Sequence, residues 1–220
     1  MIGEFKIRSF KHWTFQYLIN RTKLFIFEQL HPDLPWLTAS SIHILSSWLK
    51  QDYKGFEWGS GRSTIWFSKR VKELISVEHN REWFERISKS LEKNKITNLE
   101  YHLIQCDEKR DLCTSPYVAI INEYSDSTFD FIIVDGILRD YCSLAALPKL
   151  RPTGMLIIDN INWYFPSKSI SPGSKKIGDD YDSEVWAEVA KSLMSWRVVW
   201  TTNGVTDTAL FFKPAGAEKV

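Results

Sequence analysis

Gly55-Phe56-Glu57-Trp58-Gly59-Ser60-Gly61-Arg62-Ser63-Thr64 reads as a short strand, a two-glycine turn and the start of a helix, with an acid just before the turn. Gly59 and Gly61 open backbone conformations closed to residues with a Cβ, and they let a ligand approach the main chain closely. A ligand loop is the expectation, contacted through Gly59, Ser60, Gly61 and Ser63. The dinucleotide fingerprint wants a third glycine where Thr64 stands, and it has no need of an acid before the first. Both departures disfavour a nicotinamide dinucleotide.

Working outward, Glu57 would repel a pyrophosphate lying on the loop and attract a cationic amino-acid group attached to a nucleoside. S-adenosylmethionine has that charge distribution. Glu73-Leu74-Ile75-Ser76-Val77-Glu78 is a second strand ending in an acid, about 20 residues after the first turn, where folds of this kind place a ribose-binding carboxylate. Glu78 is therefore expected on the ribose hydroxyls, and His79 beside it on the adenine or ribose. A third strand from Leu99 to Ile104 leads into Cys106-Asp107, with Asp107 positioned for the adenine amino group.

Phe129-Asp130-Phe131-Ile132-Ile133-Val134-Asp135-Gly136 is a largely apolar run ending in Asp-Gly, the pattern of a parallel strand buried on both faces. Met155-Leu156-Ile157-Ile158-Asp159-Asn160 repeats it, and Arg139 to Leu150 supplies a crossover helix between the two. Asp135 and Asp159 should then end side by side. Two carboxylates about 5 Å apart repel by roughly 3 kcal/mol at an effective dielectric near 20, so the pair wants a cation or a shared proton. Asp135, Asp159 and Asn160 offer hard oxygen ligands that suit Mg²⁺ better than zinc. In the simpler alternative Asp135 caps a helix or contacts the cofactor, and Asp159-Asn160 is a turn. Without a metal, Asp135 is the candidate general base.

With these residues in view, the chain resembles the class I S-adenosylmethionine-dependent methyltransferases over Gly55 to Pro214. Glu57-Trp58-Gly59-Ser60-Gly61 is similar to their first motif, and Glu78 and Asp107 to their later acids. Asp135 with Asp159-Asn160 resembles the magnesium triad of the catechol O-methyltransferase-like enzymes. The resemblance implies a Rossmann-like α/β sheet, mostly parallel with an antiparallel last strand and helices on both faces. It also implies methyl transfer from S-adenosylmethionine to a small-molecule acceptor, with oxygen favoured over nitrogen or carbon. There is one departure: the lysine those enzymes carry three residues after the first Asp is Leu138 here. Arg139 next to it joins Asp135 as a catalytic candidate. Two rival functions are a nicotinamide-dependent oxidoreductase and a methyltransferase-like module that binds cofactor without turnover.

The 220 residues, 44% hydrophobic and 25% charged, suit one domain with an appendage: an N-terminal helical segment over 1–50, a cofactor-binding domain over 51–214 and a tail over 215–220. A net charge of +1 gives no general field for nucleic acid. Three cysteines, Cys106, Cys113 and Cys142, lack metal-type spacing, and with no secretory or membrane-spanning run this points to a cytoplasmic protein. Phe15 to Leu30 forms a helix with too many apolar residues for one narrow face, to be covered by the main domain, by a second subunit or, through Arg21 and Lys23, by a membrane surface. Trp83, Phe84, Ile87 and Leu91 recur at helical spacing and read as core. Asn203-Gly204 marks a final hairpin. The long connection from Trp163 to Asp182 reads as a lid over the reaction centre, selecting the acceptor.

Overall fold

A computed structural model describes residues 14–106 and 114–216. Seven strands form one sheet: β1 (Lys54–Trp58), β2 (Glu73–Glu78), β3 (Leu99–Leu103), β4 (Phe129–Val134), β5 (Leu150–Asp159), β6 (Arg197–Thr202) and β7 (Asp207–Phe212). Their order is β3-β2-β1-β4-β5-β7-β6. β1 to β5 are mutually parallel, whereas β7 runs antiparallel to both β5 and β6. The mostly parallel sheet with an antiparallel ending is as the sequence implied.

Helices cover both faces, and the strands alternate to serve them. Ile132, Val134, Leu156 and Ile158 pack with Cys142 and Ala146 of α6 (Arg139–Lys149) and with Trp186 and Val189 of α7 (Glu184–Leu193). Phe131, Ile133, Met155 and Ile157 point the other way, onto Ile42 and Leu45 of α2 (Ala39–Trp48) and Trp66 and Phe67 of α3 (Arg62–Ser68). Every residue of β4 is buried, and all but Asp130 are apolar. Each such side chain contributes about 1.5–3 kcal/mol relative to an exposed position. Thr38 caps α2, accepting from the Ser41 N–H, and its own N–H donates to Thr208 Oγ1 of β7 at 3.3 Å. This ties the chain before β1 to the antiparallel end of the sheet.

α1 (Phe15–Leu30) lies outside this core and buries none of its residues fully. α4 (Arg81–Lys93) crosses from β2 to β3, and the short α5 (Pro116–Ala119) precedes β4. Asn203 accepts from the N–H groups of Val205 and Thr206 at 2.9 Å, closing the β6–β7 turn, and Gly204 there has φ +77°. Asp107, Cys113 and His12 lie outside the described residues.

The sheet's direction of winding reverses between β1 and β4. β2 and β3 build outward on one side of β1, while β4 and β5 build on the other. Ligands of open α/β sheets bind at the carboxyl ends of the strands beside such a reversal.

Candidate active site

A cavity of about 710 Å³ opens at that reversal. Gly59 and Ser60 follow β1, Glu78 and His79 follow β2, and Asp135 and Gly136 follow β4; all six line it. The sheet thus brings together residues up to 77 positions apart that the sequence singled out separately. The volume is that of a typical small-molecule site.

The loop is organised by Thr64 and Glu57. Thr64 Oγ1 accepts the Gly61 N–H at 2.9 Å and donates to Glu57 Oε2 at 2.6 Å. Ser76 Oγ also donates to that oxygen at 2.6 Å. Thr64 therefore does here what a third glycine could not: it caps α3 and binds the loop to β1. Glu57 is fully buried and, like Gly61 and Ser63, does not line the cavity. Burial pushes its carboxyl up to about 7 against the hydrogen bonds of Ser63, Ser76 and Thr64. Its Oε1 has no hydrogen-bond partner among the described residues.

The two glycines differ in their reasons. Gly59 has φ +90°, and a Cβ there would come within 2.6 Å of the Asp135 backbone, so it serves the close packing of two turns. Gly61 has an extended backbone that any residue adopts. A Cβ on it would meet nothing nearer than Ser63 Oγ at 3.8 Å. No protein packing requires a glycine at 61, and the room it leaves is available to a ligand. Ser63 itself is buried at the start of α3.

Glu78 binds the turn after β1 to the turn after β2. Its Oε2 accepts from Ser60 N–H at 3.1 Å and Ser60 Oγ at 2.8 Å, and its Oε1 accepts from the His79 and Asn80 N–H groups at 2.9 and 2.8 Å. Burial raises the carboxyl, but the hydrogen bonds from His79, Asn80 and Ser60 outweigh it and hold Glu78 below the usual carboxylate range. It is an ionised acceptor in the cavity wall. His79 Nδ1 lies 3.1 Å from the same Oε1.

At the ends of β4 and β5 the expected cation is a side chain. All five N–H donors of Arg139 are engaged: Nε donates to Gly136 O at 2.8 Å, Nη1 to Asp159 O at 2.5 Å and Asn160 Oδ1 at 3.1 Å, and Nη2 to both Asp135 O and Asp135 Oδ1 at 3.0 Å. The guanidinium thus holds the oxygens of Asp135 and Asn160 that were expected to ligate magnesium. Asp159 turns its carboxylate away, accepting from Thr208 Oγ1 at 2.7 Å. Burial and then the Asp135 charge push it up to about 8. Among the described residues no group of three or more His, Cys, Asp or Glu is placed to hold a metal. A divalent ion would have to displace a guanidinium held by five hydrogen bonds, and these residues do not fit one.

Asp135 faces the cavity with about a quarter of its side chain exposed. Burial raises its carboxyl, Arg139 opposes this, and the Glu78 charge adds to it. Arg139 has no donor left for a substrate, and two of its five hydrogen bonds hold Asp135. Leu138, in the left-handed region at φ +48°, turns the chain into α6 so that Arg139 reaches back under the β4 and β5 ends.

Six cavity residues were not singled out as cofactor contacts from the sequence: Trp36, Asn80, Glu82, Trp83, Arg86 and Ile137. Trp83, taken for core, lines the cavity and donates its indole N–H to Ser60 O at 2.6 Å. Trp36 and Arg86 line it too. The available signal for Trp83 was its place in the first turn of a crossover helix, which puts a side chain at the carboxyl edge of the sheet. The connection 163–182, expected as a lid, contributes no residue to this cavity. Ser171 within it is buried and donates to Asp207 Oδ1 at 2.6 Å, anchoring the connection to β7, and its tip faces α1 instead.

No family model matches the sequence, and no curated protein does. Solved structures do match. A Streptococcus mutans protein provisionally assigned as a methyltransferase, solved in complex with SAH, superposes with TM-score 0.56 at 14% identity over 82% of this chain and 99% of that one. The fold is that of the methyltransferases. A Staphylococcus aureus protein provisionally assigned as a caffeoyl-CoA O-methyltransferase gives TM-score 0.55 at 13% identity, over 93% and 95% of the two chains. A Geobacter sulfurreducens methyltransferase gives 0.54 at 11%, over 89% of each. The methyltransferase fold therefore accounts for nearly the whole chain, β6 and β7 included.

Proposed function

We propose that the protein binds S-adenosylmethionine in the 710 Å³ cavity and directs methyl transfer to a hydroxyl of a small-molecule acceptor. The observation that carries the reading is the convergence of Gly59-Ser60, ionised Glu78 and Asp135 on one cavity of a methyltransferase fold. The loop N–H groups and the space over Gly61 would receive the amino-acid end, Glu78 would accept from the ribose hydroxyls, and buried Glu57 would favour the positive charge. The cofactor, when bound, supplies an electrophilic methyl group on a sulfonium. Asp135, raised by burial and directed by Arg139, is the base that takes the acceptor's proton. Trp36 and Trp83 add apolar surface to the same cavity.

Arg139 in this reading takes the place of a metal beside Asp135, so the proton transfer depends on Asp135 alone. The test is transfer of labelled methyl to a panel of phenolic and sugar hydroxyl acceptors with and without EDTA. Turnover that survives EDTA and is lost in Asp135→Asn supports the proposal. Turnover that requires Mg²⁺ would overturn the role given to Arg139.

A further inference from the structure

α1 is a 16-residue helix with no fully buried residue, and its outward face is apolar. Phe15, Leu18, Phe25, Ile26 and Leu30 are between 44% and 80% exposed. At about 100° per residue they fall within one arc of about 140°, interrupted only by uncharged Thr22 and Gln29. Arg21 borders one edge of the arc and Lys23 the other, both exposed. Glu28, the one acid of the helix, is half-buried outside the arc, about 20° beyond Arg21.

We propose that this face is a docking surface for an anionic lipid bilayer, with α1 lying in the plane of the interface. Three features favour a bilayer over a second copy of the chain. A symmetric contact would set Arg21 and Lys23 of one copy against the same cations of the other, with no acid in the arc to pair them. The helix is about 24 Å long and about 10 Å across, which gives a face of roughly 240 Å², far below the roughly 800 Å² per partner of a stable interface. Positive charge also extends beyond α1. The first 30 residues hold Lys6, Arg8, Lys11, Arg21 and Lys23 against Glu4 and Glu28.

A cationic groove continues the surface from the C-terminal end of α1, where Arg62 Nη1 donates to Glu28 O at 3.5 Å. Arg62, Lys69, Arg70, Arg86 and Lys93 line its two cavities, of about 270 and 390 Å³, with Asp33 as the single acid. None of the five has a carboxylate within ion-pair distance among the described residues, and Arg62, Arg70 and Arg86 instead stack on Trp36, Trp66 and Trp83. Unpaired cations beside an apolar helix face suit headgroup phosphates. A bilayer core needs about 20 apolar residues to span, so a helix of 16 lies on the membrane and does not cross it.

The inference is independent of the methyl-transfer chemistry, and its test does not use activity. The full chain is floated with vesicles of phosphatidylcholine alone and with vesicles containing 30% phosphatidylglycerol. Binding to the anionic vesicles should exceed binding to the neutral ones at least tenfold and fall as salt rises. Phe25→Glu/Ile26→Glu should remove it with an unchanged melting temperature, and Arg21→Ser/Lys23→Ser should weaken it and flatten the salt dependence. No flotation of the wild type, or flotation unaltered in Phe25→Glu/Ile26→Glu, overturns the proposal. A dimer in sedimentation that Phe25→Glu/Ile26→Glu dissolves, without vesicle binding by the wild type, overturns it in favour of a second copy.

Discussion

Glu57 and Asp159 are carboxyls raised by burial, to about 7 and about 8 from ordinary values of 4.5 and 3.8. The folded protein therefore holds protons that the unfolded chain releases above pH 4 to 5. Their stabilising contribution is complete below that range and is lost as pH rises toward 7 and 8. The rise at Glu57 corresponds to about 3 kcal/mol. Glu57→Gln keeps an acceptor oxygen for Thr64 and Ser76 without the buried charge, so its stability should exceed the wild type's by about 1–3 kcal/mol at pH 8 and match it near pH 4, by urea unfolding. At Arg139 the expectation concerns catalysis. Arg139→Met removes the group that lowers Asp135, so the acid limb of the pH–rate profile should move upward while kcat falls about 100-fold through misplacement of the base. A limb that stays in place would mean that Asp135 is not the base.

The loop between β1 and α3 was legible as a ligand loop, but the division of labour inside it was not. Gly59 and Gly61 look equivalent in the sequence; only the approach of the β4 turn gives the first a packing duty that the second lacks. Gly59→Ala should cost at least about 1–3 kcal/mol in unfolding, because positive φ and a 2.6 Å contact with backbone coincide. Gly61→Val should fold with nearly normal stability and lose the melting shift caused by S-adenosylmethionine. The connection 163–182 shows the opposite case, a segment whose length suggested a lid. Its Ser171 finds Asp207 on β7, and a chain-long reading of composition contains no information about that pairing. Replacing Ser167 to Asp180 with a Gly-Ser linker should accordingly leave the melting shift with S-adenosylmethionine intact and lower stability by about 1–3 kcal/mol through the stranded Asp207.

For the whole molecule, the reversal of winding between β1 and β4 places the cavity, and ligand binding there should stabilise the entire fold. At about 100 times its dissociation constant S-adenosylmethionine should add roughly 2.7 kcal/mol, a rise in Tm of about 5–10 °C for a chain of this size. NAD should add nothing, since the loop lacks the third glycine and carries Glu57 beneath it. Mg²⁺ alone should leave Tm unchanged, because the guanidinium of Arg139 already takes the place of a metal beside Asp135. A metal-dependent rise would show that Arg139 yields its place.

The sequence by itself determined the sheet and the cluster of polar strand ends. Period-two and continuous apolar runs, glycine turns and strand-terminal acids are local patterns, and β2 and β4 lie where those patterns put them. It also stated the electrostatic problem correctly: two acids at adjacent strand ends need a cation. The identity of that cation was decided only by tertiary structure. The reach of Arg139 back across α6's first turn depends on Leu138 adopting a left-handed conformation and on Asn160 and the Asp159 carbonyl converging from β5. Such a contact joins residues about 20 apart through a backbone geometry that no spacing rule encodes. Trp36 in the cavity wall and the uncovered face of α1 are of the same kind, since burial is a property of what packs against a residue and not of the residue itself.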